Sequence, residues 1–278
     1  MSPLPALLPT LPADPAWQII DLLSDVHLKA DQPRTFEAWR DHLLGTPADA
    51  VLMLGDLFEV WVGDDAPDAD PTGFESHCIA VMQQASRQRV LAFMPGNRDF
   101  LIGPRLLASA GLRGLQDPTV LQAWGQRWLL SHGDALCLGD TAYQQFRQQV
   151  RSAGWQQQFL ALPLAERQRQ ARAMRDASTA HQAAQARALP TQASAQDDTQ
   201  AWSDVDAAAA SSWLAQADAH ALIHGHTHRP AVHGLPGGRS RHVLGDWDLD
   251  TAPRRARLLR LSAAGLQVLD LAQPAASA

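Results

Sequence analysis

Short apolar runs alternate along this chain with polar clusters and amphipathic segments. The apolar runs cover residues 18–23, 50–54, 90–94, 127–130 and 221–223, and each leads directly into a cluster of Gly, Asp, Asn or His. Runs of that length bounded by turn-forming residues read as strands. Between them, residues 35–44, 73–89 and 141–150 repeat apolar positions near the 3.6-residue period and predict helices. Further runs at 241–244, 257–261 and 267–271 read as closing strands. Strand, polar loop and helix in succession make the rhythm of an α/β domain whose sheet carries helices on its faces.

One region breaks the rhythm. Residues 155–204 are rich in Ala, Gln and Arg and contain no strand-like run, so they read as a helical insertion in a domain spanning 17–272. Within it the polar stretch 191–198 is expected to be a flexible loop. The proline-rich residues 1–16 and the small-residue tail 273–278 are expected to be disordered. A length of 278 residues accommodates one such domain and a sizeable core.

Composition narrows the function. With 46% hydrophobic and 19% charged residues the chain is an ordinary globular one. None of its apolar runs approaches the roughly 20 residues of a membrane span. A net charge of -6 and a pI near 6.0 speak against nucleic acid as a partner. Cys78 and Cys137 lack metal-ligand or redox spacing and read as buried thiols. Without an export signal the expected compartment is the cytoplasm, and nothing in the pattern points to an obligate protein partner.

The chemistry lies in the polar clusters behind the first five runs. They are Asp25-Val26-His27, Gly55-Asp56, Gly96-Asn97-Arg98-Asp99, His132-Gly133-Asp134 and His224-Gly225-His226-Thr227-His228. Loops at the carboxyl ends of neighbouring strands share one edge of an α/β sheet, so the clusters should converge. At i and i+2 in extended chain, Asp25 with His27 and His224 with His226 each point to one side. The candidate metal ligands are Asp25, His27, Asp56, Asn97, His132, His224 and His226. Oxygen and imidazole donors without thiolate suit Mn, Fe, Zn or a similar divalent ion. Their number exceeds what one four-coordinate site uses and suits a pair of ions of the kind that phosphoesterases hold.

Asp-x-His, Gly-Asp, Gly-Asn-Arg-Asp, His-Gly-Asp and Gly-His-Thr-His, in this order, resemble the signature of the calcineurin-like metallophosphoesterases. The resemblance implies a four-layer α/β/β/α sandwich and two divalent ions, Mn2+ by preference. Asp25, His27, Asp56 and His226 would hold one ion, and Asp56, Asn97, His132 and His224 the other, with Asp56 as bridge. The catalytic set would be Asp56, Asn97, His132 and His224.

The longer strings at 54–65, 96–103 and 222–233 are narrower, as are those at 159–164, 174–175 and 243–247. They are similar to the UDP-2,3-diacylglucosamine pyrophosphatase branch of that family, over residues 17 to 250. That branch cleaves its lipid substrate to UMP and 2,3-diacylglucosamine 1-phosphate in lipid A synthesis, water attacking the α-phosphorus. Peripheral contact with the cytoplasmic face of the inner membrane would follow.

By the same matching, Asn97, Arg98, Asp140, Tyr143, Ser178 and His224 would contact substrate, Arg98 through its forked, permanently charged donors. An ungapped match puts Gln182 and Gln185 where the branch has Asn and Lys, and Arg187 is an alternative source of the cation. Trp155, Phe159, Leu160, Leu162 and Leu164 either line an acyl groove under a helical lid or pack as ordinary helix residues. Two other readings stand beside this one: a phosphoesterase for a soluble nucleotide or phosphomonoester, and a binding module without catalysis. All the ligand positions hold competent residue types, which disfavours the second.

Overall fold

A computed structural model describes residues 8–187 and 204–273, with the backbone alone for residues 176–187. Two sheets form the centre of the molecule. The first runs, across its width, β11 (Trp247–Asp248), β12 (Arg255–Ser262), β2 (Ile19–Leu23), β3 (Ala50–Leu54), β4 (Val90–Met94) and β5 (Leu112–Gly114), with β13 (Gly265–Asp270) also paired to β12. The second runs β1 (Thr10–Pro12), β6 (Thr119–Ala123), β7 (Gln126–Ser131), β8 (Ala221–His224), β10 (Arg239–Val243) and β9 (Val232–Leu235). The helices are α1 (Pro33–Gly45), α2 (Ala66–Ala69), α3 (Phe74–Ser86), α4 (Pro104–Ala110), α5 (Thr141–Val150), α6 (Ala153–Leu160), α7 (Leu164–Arg187) and α8 (Ala207–Gln216).

Side-chain alternation along the strands sorts the layers. Ala50, Leu52 and Leu54 of β3 face the second sheet, together with Ile20 and Leu22 of β2, and meet Leu121, Trp128, Leu130 and Ile223. Val51 and Met53, one residue out of phase, face outward and pack with Trp39, Leu43, Cys78, Met82 and Leu106 from α1, α3 and α4. On the far side Val120, Leu129 and Leu222 turn outward onto Ala209, Ala210, Trp213 and Leu214 of α8. The order of layers is therefore helix, sheet, sheet, helix. Because β3 is covered on both faces it reads as a continuous apolar run. Each such aliphatic side chain contributes about 1.5–3 kcal/mol by leaving water.

Two expectations change. Periodicity alone suggests one sheet with helices on its faces; the structure has two, as the family resemblance implies. The stretch expected to be a disordered extension instead supplies β1, which lies parallel to β6 with Thr10 opposite Val120. Leu11 is buried there, Ala13 N–H donates to Gln122 O at 2.8 Å, and Trp17 closes the end of the inter-sheet core. An edge strand tolerates Pro9 and Pro12, because a missing N–H on the solvent side breaks no ladder. Residues 191–198 and 274–278 lie outside the described residues. No helix among the described residues is long and apolar enough to cross a membrane.

Candidate metal centre

Ligand-type side chains enter from the carboxyl ends of β2, β3, β4, β7 and β8, and backbone hydrogen bonds tie their loops together. Asp25 N–H donates to Gly55 O and His27 N–H to Asp56 O, both at 3.0 Å, joining the loops after β2 and β3. His226 N–H donates to Asp25 Oδ2 at 3.0 Å and so joins the second sheet to the first. Asp99, fully buried, accepts N–H groups from Leu57 at 2.7 Å and Gly96 at 2.8 Å, with longer bonds from Asp56 and Phe58. One carboxylate thus staples the Asp56 loop to the Asn97 loop.

The backbone at this edge is held in an unusual state. Asp25, His27, Asp56, His226 and His228 all have positive φ, between 51° and 69°. Left-handed conformations of non-glycine residues cost on the order of 1–3 kcal/mol each and persist where the surroundings over-determine them. Packing is equally tight: a Cβ on Gly55 would lie 2.5 Å from His132 Nδ1 and 2.7 Å from Gly96 Cα.

Side-chain donors converge on this edge. Ligand atoms of Asp25, His27 and His228 lie within 4.8 Å of one another, and so do those of Asp25, Asp56 and His132. Asp56 faces both ways, with Oδ2 3.9 Å from His27 Nε2 and Oδ1 3.6 Å from His132 Nε2. Asn97 Oδ1 lies 2.9 Å from His132 Nε2 and 2.8 Å from His226 Nδ1. His132 Nδ1 lies 3.0 Å from Leu54 O, which can only accept, so Nδ1 bears a hydrogen and Nε2 is the nitrogen left to meet a metal ion once its own proton is displaced.

His224 lies among the most deeply buried of the candidate ligands. It ends β8 fully buried, its Nδ1 is 2.8 Å from Gly225 O, and its Nε2 has no hydrogen-bond partner among the described residues. Burial, with the Arg241 cation adding to it, pulls its pKa down to about 3, so the ring is neutral. His228, which the sequence reading did not include, reaches the centre with His226, beside Asp25 and His27. The extended chain stops at His224, and beyond it the backbone has positive φ at His226 and His228. His228 repeats the same i, i+2 spacing one step later in the sequence.

The donor set fits a pair of divalent cations. The Nε2 atoms of His27 and His228 stand 3.2 Å apart, an arrangement that a shared cation makes favourable. Burial lowers the pKa of His132, but Asp56, Asp25, Asp134 and Asp117 overcome it and raise it to about 9. The field that draws a proton there is the field that would hold a metal ion. Burial and His132 hold His226 neutral, down to about 4, which leaves its ring free to act as a ligand. Glu59, which sequence reasoning missed, lies with Oε2 3.1 Å from His27 Nδ1 and Oε1 3.0 Å from Arg175 Nε on α7. Burial raises Glu59, yet His27, Arg98 and Arg175 hold it at about 2, a permanent carboxylate behind a ligand histidine.

The chain matches the family model of the calcineurin-like phosphoesterases over residues 20–230. It belongs to that family. The UDP-2,3-diacylglucosamine hydrolase of Chromobacterium violaceum is 44% identical over 235 residues, covering 82% of this chain and 90% of that protein. The one from Xanthomonas campestris pv. campestris strain ATCC 33913 is 42% identical over 257 residues, covering 90% and 98%. Among solved structures, vacuolar protein sorting 29 from Cryptosporidium parvum aligns with 91% of each chain at 15% identity and a TM-score of 0.43. This phosphoesterase is a hydrolase, and its donor groups suit divalent metal ions.

The residues expected to meet substrate are dispersed around the centre. Arg98 follows Asn97; its N–H donates to Asp56 Oδ1 at 2.8 Å, and its buried Nε has no hydrogen-bond partner among the described residues. Asp140 caps α5, accepting Tyr143 N–H at 2.9 Å. The Tyr143 hydroxyl donates to Asp134 Oδ2 at 2.8 Å, and its ring stacks on His226 with centroids 5.8 Å apart. Ser178, Gln182, Gln185 and Arg187 belong to α7, where their side chains lie outside the described residues. Of the groove candidates, Phe159 is buried, and Trp155, Leu162 and Leu164 pack against the main core; Leu160 is exposed.

Proposed function

We propose that this phosphoesterase hydrolyses the pyrophosphate bond of UDP-2,3-diacylglucosamine, releasing UMP and 2,3-diacylglucosamine 1-phosphate for lipid A synthesis. The observation that carries the reading is the convergence of Asp25, His27, Asp56, Asn97, His132, His226 and His228 in a chain 40–44% identical to proteins of that activity. Asp25, His27, His228 and Asp56 would hold one ion, and Asp56, Asn97, His132 and His226 the other. Two ions, when bound, supply Lewis-acid polarisation of phosphoryl oxygens and a water acidic enough to attack phosphorus. Mn2+ suits this mixture of carboxylate, amide and imidazole donors.

The chain's own residues orient and exclude. Arg98 grips a phosphoryl oxygen with its free guanidinium edge and balances the charge that gathers there. His226, beside Asn97, takes over the substrate-facing role first given to His224. Asp140, Tyr143, Ser178, Gln182 and Gln185 remain assigned to substrate contact by resemblance. Buried Leu54, Leu57 and Phe58 keep bulk water from the floor of the centre. A diacyl substrate resides in the bilayer, so peripheral contact with the cytoplasmic face of the inner membrane belongs to the same proposal.

Incubation of the Mn2+-loaded protein with UDP-2,3-diacylglucosamine should release UMP. A second reading, a soluble nucleotide or phosphomonoester as substrate, is favoured by the packing of Phe159 and Trp155 into the core rather than along an open groove. Turnover of such a substrate with no UMP release from the lipid would replace the first reading with the second.

A further inference from the structure

The loop after β3 carries Asp56 at one end and partners of α7 further along. Arg167, in the first turn of α7, donates to Val62 O and Asp65 Oδ1, and Arg175 Nε lies 3.0 Å from Glu59 Oε1. Eight residues of helix separate the two arginines, about 12 Å along the axis. One contact fixes a point on a helix; two so far apart fix its direction.

Glu59 is not free to follow the helix. Its N–H donates to Leu28 O at 3.2 Å and Leu28 N–H donates to Leu57 O at 2.8 Å, so its backbone is laced to the residue that follows His27. Its side chain, 17% exposed, turns back toward that loop with Oε2 3.1 Å from His27 Nδ1. A carboxylate at that distance draws a hydrogen onto Nδ1. It leaves Nε2, 3.9 Å from both Asp25 Oδ1 and Asp56 Oδ2, as the nitrogen for a metal ion. Glu59 itself belongs to neither group of ligand atoms. Its two oxygens therefore serve different neighbours, a ligand ring and a helix.

On the two-ion reading of the centre, on which this rests, we propose that Glu59 is a positioning residue that ties α7 to the ion at His27. One oxygen orients the ligand ring and the other holds the helix, so ion and helix each bias where the other sits. Ser178, expected at the substrate, follows Arg175 by three residues on α7, less than one turn. A substrate contact carried by this helix is then set in register with the metal by a carboxylate that is not itself a ligand.

Amide hydrogen exchange in residues 168–175 of α7, read by mass spectrometry with and without Zn2+, tests the tie. Wild-type protein should exchange more slowly there once Zn2+ is bound. Glu59→Gln keeps the shape and loses the charge. It should weaken one class of ion about 10–100-fold, the range expected when an outer partner of a ligand is lost, and abolish the slowing even at saturating Zn2+. Arg175→Met leaves His27 its carboxylate, so both ions should bind within a few-fold of wild type while the slowing is lost. Arg175→Lys should restore part of it.

The Arg175 side chain is 43% exposed, and an ion pair so placed contributes little to stability, so Arg175→Met decides the matter if Glu59→Gln does not fold. Slowing that persists in both variants would overturn the tie. So would unchanged ion affinity in Glu59→Gln. A wild-type protein that binds no ion would overturn the two-ion centre itself, a result that is told apart from either of these.

Discussion

His224, His226 and His228 share one spacing but not one environment, and the contrast is open to measurement. His228, 41% exposed, stands 3.3 Å from Asp25 Oδ1, while His224 is shut into the second sheet beside the Arg241 and Asp204 pair. His228→Ala should lower the bound-ion count from two toward one by elemental analysis, with little change in thermal midpoint. His224→Ala should do the opposite, keeping its ions and losing stability by about 2 kcal/mol or more, because a large buried ring is removed. If His224→Ala lost an ion and His228→Ala kept both, the assignment would be reversed. The ligand residue types were legible in sequence. That His228 also stands beside Asp25 and His27 was not, since it depends on how the backbone turns beyond β8.

At the level of elements, α7 is anchored more firmly than its composition suggests. Arg167 is 2% exposed; Nη1 donates to Val62 O at 2.6 Å and Asp65 Oδ1 at 2.8 Å, and Nε donates to Leu162 O at 3.0 Å. That bond pattern holds the first turns of the helix against the loop after β3, and Arg175 on the same helix reaches Glu59. Arg167→Met keeps bulk but leaves the Val62 and Leu162 carbonyls without this donor, which should cost about 1–3 kcal/mol in chemical denaturation. A change below a few tenths would show that α7 does not depend on the anchor. Helical character in residues 155–187 was legible from composition and the lack of strand-like runs. Its docking was not, because an Arg in an Ala- and Gln-rich segment reads as solvated until its partners are known.

For the molecule as a whole, charge buried far from the centre sets the acid limit of the fold. Asp21 in β2 is fully buried and takes two bonds from Arg260, its cross-strand partner in β12, at 2.7 Å and 2.9 Å, and one from Thr46 at 2.6 Å; His42 lies 3.2 Å away. Burial raises its pKa, but bonds from Arg260, His42 and Thr46 outweigh burial and hold it well below the usual carboxylate range. A depressed folded-state pKa stabilises the fold above the unfolded value of about 3.9 and loses that stabilisation as pH falls below it. Denaturation at a series of pH values should therefore show stability falling below about pH 4, with a shallower fall in Asp21→Asn. Equal slopes would remove Asp21 from the acid limit.

Sequence by itself determined the α/β class, the apolar strands β2, β3, β4, β7 and β8, the five polar clusters behind them and, through ordered motifs, the family. These are local properties, written in alternation, turn residues and spacing within a few positions. Tertiary structure decided that there are two sheets and that residues 10–12 complete one of them. It also decided that His228 stands beside Asp25 and His27, and that the Tyr143 hydroxyl turns to Asp134. Each of those outcomes depends on a contact between residues distant in the chain. No local pattern encodes such a contact until the backbone has closed around it.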